Sequence, residues 1–220
     1  MDMGNVLGLV DILNLLTGVR DGDTGKHVVR VAGYVELMLR QMNKLNSTGK
    51  EMFSEEYITV AKLAARLHDV GKVGITDLIL TKNDRLLEME FERIKEHTTI
   101  GYQILRKGME NESNPAGLND MLRLASDVAM YHHERWDGKG YPRAVKGKNI
   151  PLLARVLAVV DVYDALTSKR VYKEPMTHEQ AKEIIIEGSE KQFDPQLVKV
   201  FLKIEPLFIK LNKQYEGEGI

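Results

Sequence analysis

KHVVRVAGYVELMLRQM, residues 26–42, decides the fold class. Val28, Val31, Val35, Met38 and Met42 recur every three or four residues, which puts one apolar stripe along a helix. The same period runs backward through NVLGLVDILNLL (5–16) and forward through 55–68, 88–106, 119–134, 151–168, 178–187 and 195–212. Several starts carry capping chemistry. Ser54 suits an N-cap, Thr177 with Gln180 reads as a capping box, and Asp194-Pro195 pairs an N-cap with a first-turn proline. No period-2 apolar run is flanked by turn residues, and the Gly/Asn/Ser-rich stretches 107–119 and 137–150 read as loops. The expectation is an all-α single domain of roughly seven or eight helices.

Composition narrows the function classes. The chain has 220 residues, is 43% hydrophobic and 29% charged, and carries a net charge of −1. Such a balance lacks the basic excess of a nucleic-acid-polymer binder. With no cysteine, disulfides, thiolate-ligated zinc and a thiol nucleophile are excluded. The start, MDMGNVLGLV, has no basic region, and the longest apolar run, LLARVLAVV (152–160), is interrupted by Arg155. Neither reads as a signal peptide or a membrane span, so a cytoplasmic protein is expected.

Histidine is scarce and oddly placed. Of six, His132 and His133 stand side by side in YHHERWDGKGYP (131–142), followed by Glu134, Asp137 and a Gly-rich loop. His27 opens the second expected helix, His68 ends the third before Asp69, and His97 lies in the fourth. Asp161 sits inside the apolar run VLAVVDVYDAL, where an unpaired carboxylate is costly to bury. Taken singly, these residues read as structural histidines and a paired core aspartate. Together, His27, His68, Asp69, His97, His132, His133 and Asp161 form a set of N and O donors that a helical bundle can turn toward one point. Seven donors exceed one ion and suit two ions about 3.5–4 Å apart with a bridging carboxylate. Imidazole and carboxylate without thiolate favour Fe or Mn, with Zn or Ni as alternatives.

With these residues in place, the chain resembles HD-GYP domains, a branch of the HD-domain metal-dependent phosphohydrolases, over about residues 18–200. The motifs are RDGDTGKH (20–27), HDVGKVGI (68–75), His97 in EHTTIG, HHERWDGKGYP (132–142), IPLLAR (150–155), DVYDAL (161–166), RVYK (170–173) and FDP (193–195), with Gly140-Tyr141-Pro142 as the GYP element. The resemblance implies an HD-type bundle with a metal site in its core. It also implies hydrolysis of cyclic di-GMP to pGpG, and on to GMP, by a water shared between two or three divalent ions. His27, His68, Asp69, His97, His132, His133 and Asp161 look like its metal ligands, with Asp69 bridging and catalytic. Lys72 resembles the lysine that meets the scissile phosphate. Tyr141, Asp164, Arg170 and Lys173 match positions tied to substrate binding or pocket shape.

Asp23, four residues before His27, shares its face if the turn is helical, and the resemblance makes it a ligand of a third ion. Its other reading is an acidic residue near a helix N-terminus. The stretch LTKNDRLLE (80–88) and Thr76 depart from the family pattern without touching a ligand. Three alternatives stand beside the main reading: a phosphodiesterase for cyclic GMP-AMP, a silent cyclic di-GMP sensor, and a module docking a diguanylate-cyclase (GGDEF) domain. A homodimer is a further expectation, as is helix 5–16 serving as a linker to a regulatory domain.

Overall fold

A computed structural model describes residues 3–21, 25–48, 50–82, 84–168 and 174–216. Asp23, Arg170 and Lys173 lie outside the described residues. Ten α-helical segments run through the described residues: α1 Met3–Asp21, α2 Lys26–Leu45, α3 Glu55–Ala65, α4 Asp77–Leu80, α5 Glu88–Lys95, α6 His97–Gly108, α7 Leu118–Tyr131, α8 Leu152–Thr167, α9 His178–Glu187 and α10 Pro195–Glu216. Among the described residues there is no strand, only an isolated bridge between Ser189 and Phe193. The all-α expectation holds. The count exceeds the expected seven or eight because 88–106 divides at Glu96 and a four-residue helix forms at Asp77–Leu80.

α2 is the organising helix. Its stripe is buried as the spacing predicts, at Val28, Val31, Val35 and Met38, with Met42 partly buried against the same core. It packs on α3, α8 and α10. Tyr34 of α2 stacks on Phe208 of α10 at 4.4 Å and meets Tyr163 of α8 edge-on at 5.4 Å. The caps form as expected: Ser54 accepts from the Tyr57 amide at 3.1 Å, Thr177 and Gln180 bond reciprocally, and Asp194 accepts from the Gln196 amide at 2.9 Å.

α8 is buried along most of its circumference, with Leu153, Ala154 and every residue from Val156 to Val160 inside. A helix apolar on all sides belongs in the centre of a domain. That placement carries its two carboxylates, Asp161 and Asp164, into the interior.

Two further features bring the motifs together. α3 stops at Ala65, and a turn followed by a 3-10 turn at Val70–Gly74 carries HDVGK against α6. Gly71 makes this approach possible: a Cβ there would lie 1.9 Å from the His97 carbonyl oxygen. The loop after α7 folds back likewise, and a Cβ on Gly140 would lie 2.4 Å from the Arg135 nitrogen and 2.6 Å from the His133 carbonyl oxygen. Only glycine fits where backbone meets backbone this closely.

Candidate metal centre

The seven expected ligands converge in two adjoining groups. His27, His68 and Asp161 form one, and Asp69, His97, His132 and His133 the other; within each group the ligand atoms lie within 4.8 Å of one another. They come from the start of α2, the turn after α3, the start of α6, the end of α7 and the middle of α8. Helices 55–68 and 119–134 were expected to be continuous. Instead His68, His132 and His133 sit just beyond helix ends at Ala65 and Tyr131, where the backbone is free to aim them inward.

Asp69 joins the groups. Its Oδ2 is 3.3 Å from His68 Nε2, and its Oδ1 is 3.3 Å from His97 Nε2 and 3.7 Å from His132 Nε2. In the first group His27 Nε2 lies 3.4 Å from Asp161 Oδ1 and 3.5 Å from His68 Nε2. In the second, His97 and His132 present their Nε2 atoms to each other at 3.4 Å.

The outward-facing ring nitrogens explain this convergence. Nδ1 of His68 donates to the Ala65 carbonyl at 2.9 Å, that of His97 to Ile94 at 2.7 Å, and that of His132 to Val128 at 3.0 Å. A carbonyl only accepts, so each neutral ring carries its proton on Nδ1 and turns the Nε2 lone pair inward. His27 Nδ1 instead meets Asp164 Oδ2 at 2.8 Å. Inward lone pairs and two carboxylates are a donor set that fits divalent cations and has little other use in a core.

The resemblance matches Asp164 to substrate binding or pocket shape, and the structure places it against His27 and Arg30, outside the lining of the cavity. It is 1% exposed. Its oxygens accept from Arg30 Nε at 2.6 Å and Arg30 Nη2 at 2.8 Å, as well as meeting His27. A buried charge is tolerated when paired and hydrogen-bonded on this scale. Asp164 therefore orients His27 rather than facing the pocket. Burial pushes its pKa up, but Arg30 and His27 outweigh that and hold the carboxyl below its usual range.

Protonation differs across the centre. Burial pushes His132 well below the ordinary imidazole range and, with the neighbouring His97 charge, takes His133 down to about 4. Burial also lowers His97. It acts on His68 in the same direction, yet the adjacent Asp69 carboxylate, aided by Asp161, lifts that ring to about 9. Asp69 is held well below its usual range: burial opposes ionisation, and Lys72 and His68 overcome it. Lys72 Nζ lies 2.7 Å from Asp69 Oδ2, at the junction of the two groups.

A cavity of about 340 Å³ opens beside the centre, with His132, His133 and Asp161 among its lining residues. Tyr141 of the GYP element also lines it, its ring stacked on His133 at 4.7 Å. The loop carrying Tyr141 is clamped from below by Glu134, which is 2% exposed and accepts from the Arg143 amide at 2.6 Å. It is fastened sideways by Trp136 N to Gln192 O at 3.1 Å and Asp137 N to Lys191 O at 2.8 Å. The Arg155 guanidinium lies 5.9 Å from the centre of the Trp136 ring. Sequence reasoning singled out neither Arg30 nor the Glu134 clamp. The only local signal for Arg30 is its position one turn after His27.

An all-α bundle with a His/Asp cluster at its helix ends defines the class as a helical domain with a candidate metal centre. The chain belongs to the HD domain family: the model of the family described as HD domain matches residues 21–197. It is 40% identical to a "Probable cyclic di-GMP phosphodiesterase" of Vibrio cholerae, over 96% of this chain and 47% of that one. It is 40% identical to a "Cyclic di-GMP phosphodiesterase" of Thermotoga maritima, over 96% of this chain and 52% of that one. Among solved structures, a cyclic GMP-AMP-specific phosphodiesterase of Vibrio cholerae has the same fold, with a TM-score of 0.58, 17% identity, and coverage of 95% of this chain and 53% of that one. The chain spans about half the length of the curated relatives it matches. No helix among the described residues is long and apolar enough to cross a membrane.

Proposed function

We propose that this chain is a metal-dependent phosphodiesterase that hydrolyses cyclic di-GMP to linear pGpG, and then to GMP. One observation supports the reading: seven His and Asp side chains converge in two adjoining groups, with Asp69 of one reaching His68 of the other at 3.3 Å and the Nδ1 atoms of His68, His97 and His132 hydrogen-bonded outward. The names of relatives about 40% identical over nearly the whole chain support the substrate.

His27, His68 and Asp161 would hold one divalent ion, and His97, His132 and His133 a second, with Asp69 bridging. Bound there, Fe or Mn ions would supply Lewis acidity and lower the pKa of water at near-neutral pH. Lys72, held at Asp69, faces the scissile phosphate and offsets its charge. The oxygen of a water forms the new bond to phosphorus as the bond to the 3′-oxygen breaks. One of the water's protons ends on that 3′-oxygen, and the product is a 5′-phosphate monoester. Tyr141 lines the cavity, and Arg170 and Lys173, outside the described residues, would contact the substrate. Asp23, outside the described residues, would hold a third ion where one binds.

The test is turnover of cyclic di-GMP with products separated, after anaerobic purification and loading with Fe or Mn, and with metal per chain counted on the same sample. Two or three ions per chain with pGpG or GMP appearing supports the reading, and the third ion is Asp23's if Asp23→Ala removes it. Full loading with no turnover overturns it in favour of a sensor. Turnover of cyclic GMP-AMP alone changes the substrate and leaves the chemistry.

A further inference from the structure

We propose that α5 carries a nucleotide subsite: the Phe91 ring is the platform for one base, and the Lys95 ammonium is the ligand of the phosphate that is not cleaved. The subsite rests on the reading of the chain as a cyclic-dinucleotide phosphodiesterase. Phe91 and Lys95 are four residues apart on α5, hence on one face of it, and both line the cavity beside the ligands. Phe91 is 46% exposed, an aromatic ring left open at the cavity rather than packed into the core. Every base has a face to stack on such a ring.

Lys95 rests between two rings, its Nζ 4.8 Å from the Phe91 centroid and 5.4 Å from that of Tyr141. Its carboxylate partner, Glu92 at 2.5 Å, has a side chain 62% exposed. An exposed ion pair and an open cation–π contact are each weak beside a charge-assisted bond to a phosphate. A dinucleotide phosphate therefore draws the ammonium off the rings, and a base takes the face it leaves.

A cyclic dinucleotide carries two phosphates. Lys72, bound to Asp69 among the ligands, serves the one that is cut. Among the described residues, the other cations on the cavity are Arg135, already bonded to Asp137 and Gln192, and Lys139, on the exposed loop. Lys95 is the last residue of α5, and His97 opens α6. The second-phosphate ligand thus sits two residues from a metal ligand, which sets the distance between the subsites.

Phe91→Leu and Lys95→Gln in the metal-loaded chain test this, with cyclic di-GMP and bis(4-nitrophenyl) phosphate as substrates. The second has one phosphate and no base. Each variant is expected to raise KM for cyclic di-GMP about tenfold with kcat within about twofold, while the small diester is turned over as by wild type. Phe91→Trp and Lys95→Arg should recover most of the loss. If wild type cleaves the small diester but no cyclic dinucleotide, the substrate reading falls and the subsite with it. If wild type cleaves cyclic di-GMP and the variants match it, or lose both substrates equally, the subsite alone is overturned.

Discussion

The two ligand groups contain the same kinds of donor and are held in opposite electrostatic states. His27, His68 and Asp161 sit among carboxylates: Asp164 backs His27, and Asp69 with Asp161 draws a proton onto His68, up to about 9. His97, His132 and His133 are governed by burial, which drives all three below the ordinary imidazole range. Near neutral pH the rings of the second group are already uncharged and receptive to a cation. The first must give one up. Whether an imidazole in a core waits as a base or as a cation depends on which prevails, the desolvation of the ring or the field of the nearest carboxylate.

Asp69→Ala gives the largest effect, because that residue touches both groups. Turnover should fall by about 10³-fold or more. Metal per chain should drop from both groups while the helical circular dichroism is retained. His27→Ala removes a ligand from the first group alone and should leave one ion per chain. An Asp69→Ala protein that keeps two ions would show that the groups are independent and that Asp69 does not bridge.

Asp164→Asn separates the groups more gently. It keeps the shape but weakens the hold on His27 Nδ1 and the pairing with Arg30. Partners behind a metal-binding histidine are typically worth about 10–100-fold in metal affinity. That loss should appear in the first group only, read as one weakened and one unchanged binding event in a metal titration. Equal weakening of both events would mean that Asp164 acts by supporting the whole bundle.

Much of this was legible from residues alone, for identifiable reasons. The α2 stripe follows from local periodicity, which the fold preserves, whereas Asp161, expected inside, is half-buried at the edge of the cavity. The ligand set was legible because six histidines among 220 residues leave few other ways to explain five of them at helix ends or on apolar faces. The division of 88–106 was not. Glu96 has φ −61° and ψ −18°, close to helical, and neither glycine nor proline marks the break. The role of Asp164 was hidden because Arg30 lies 134 residues away in the chain. Lys95 carries no signal in the sequence, because only the fold sets it over Phe91 and Tyr141.

The smallest effect, and the most direct probe of the contrast, is the pH dependence of unfolding in the metal-free protein. His97, His132 and His133 have folded pKa values below the unfolded 6.5. Above that value their contribution is in place, and as pH falls through it the unfolded chain binds protons that the folded one does not, so stability drops. His68 runs the other way: its stabilisation is present below 6.5 and is lost as pH rises toward about 9. Each proton is worth about 1.4 kcal/mol per pH unit. Urea midpoints should therefore peak near pH 6.5 and fall on both sides, more steeply on the acid side, where three rings act against one. Asp69→Asn removes the carboxylate chiefly responsible for raising His68, so it should flatten the alkaline arm and leave the acid arm standing. If both arms flatten together, the two groups titrate as one unit and the division between carboxylate and desolvation control is wrong.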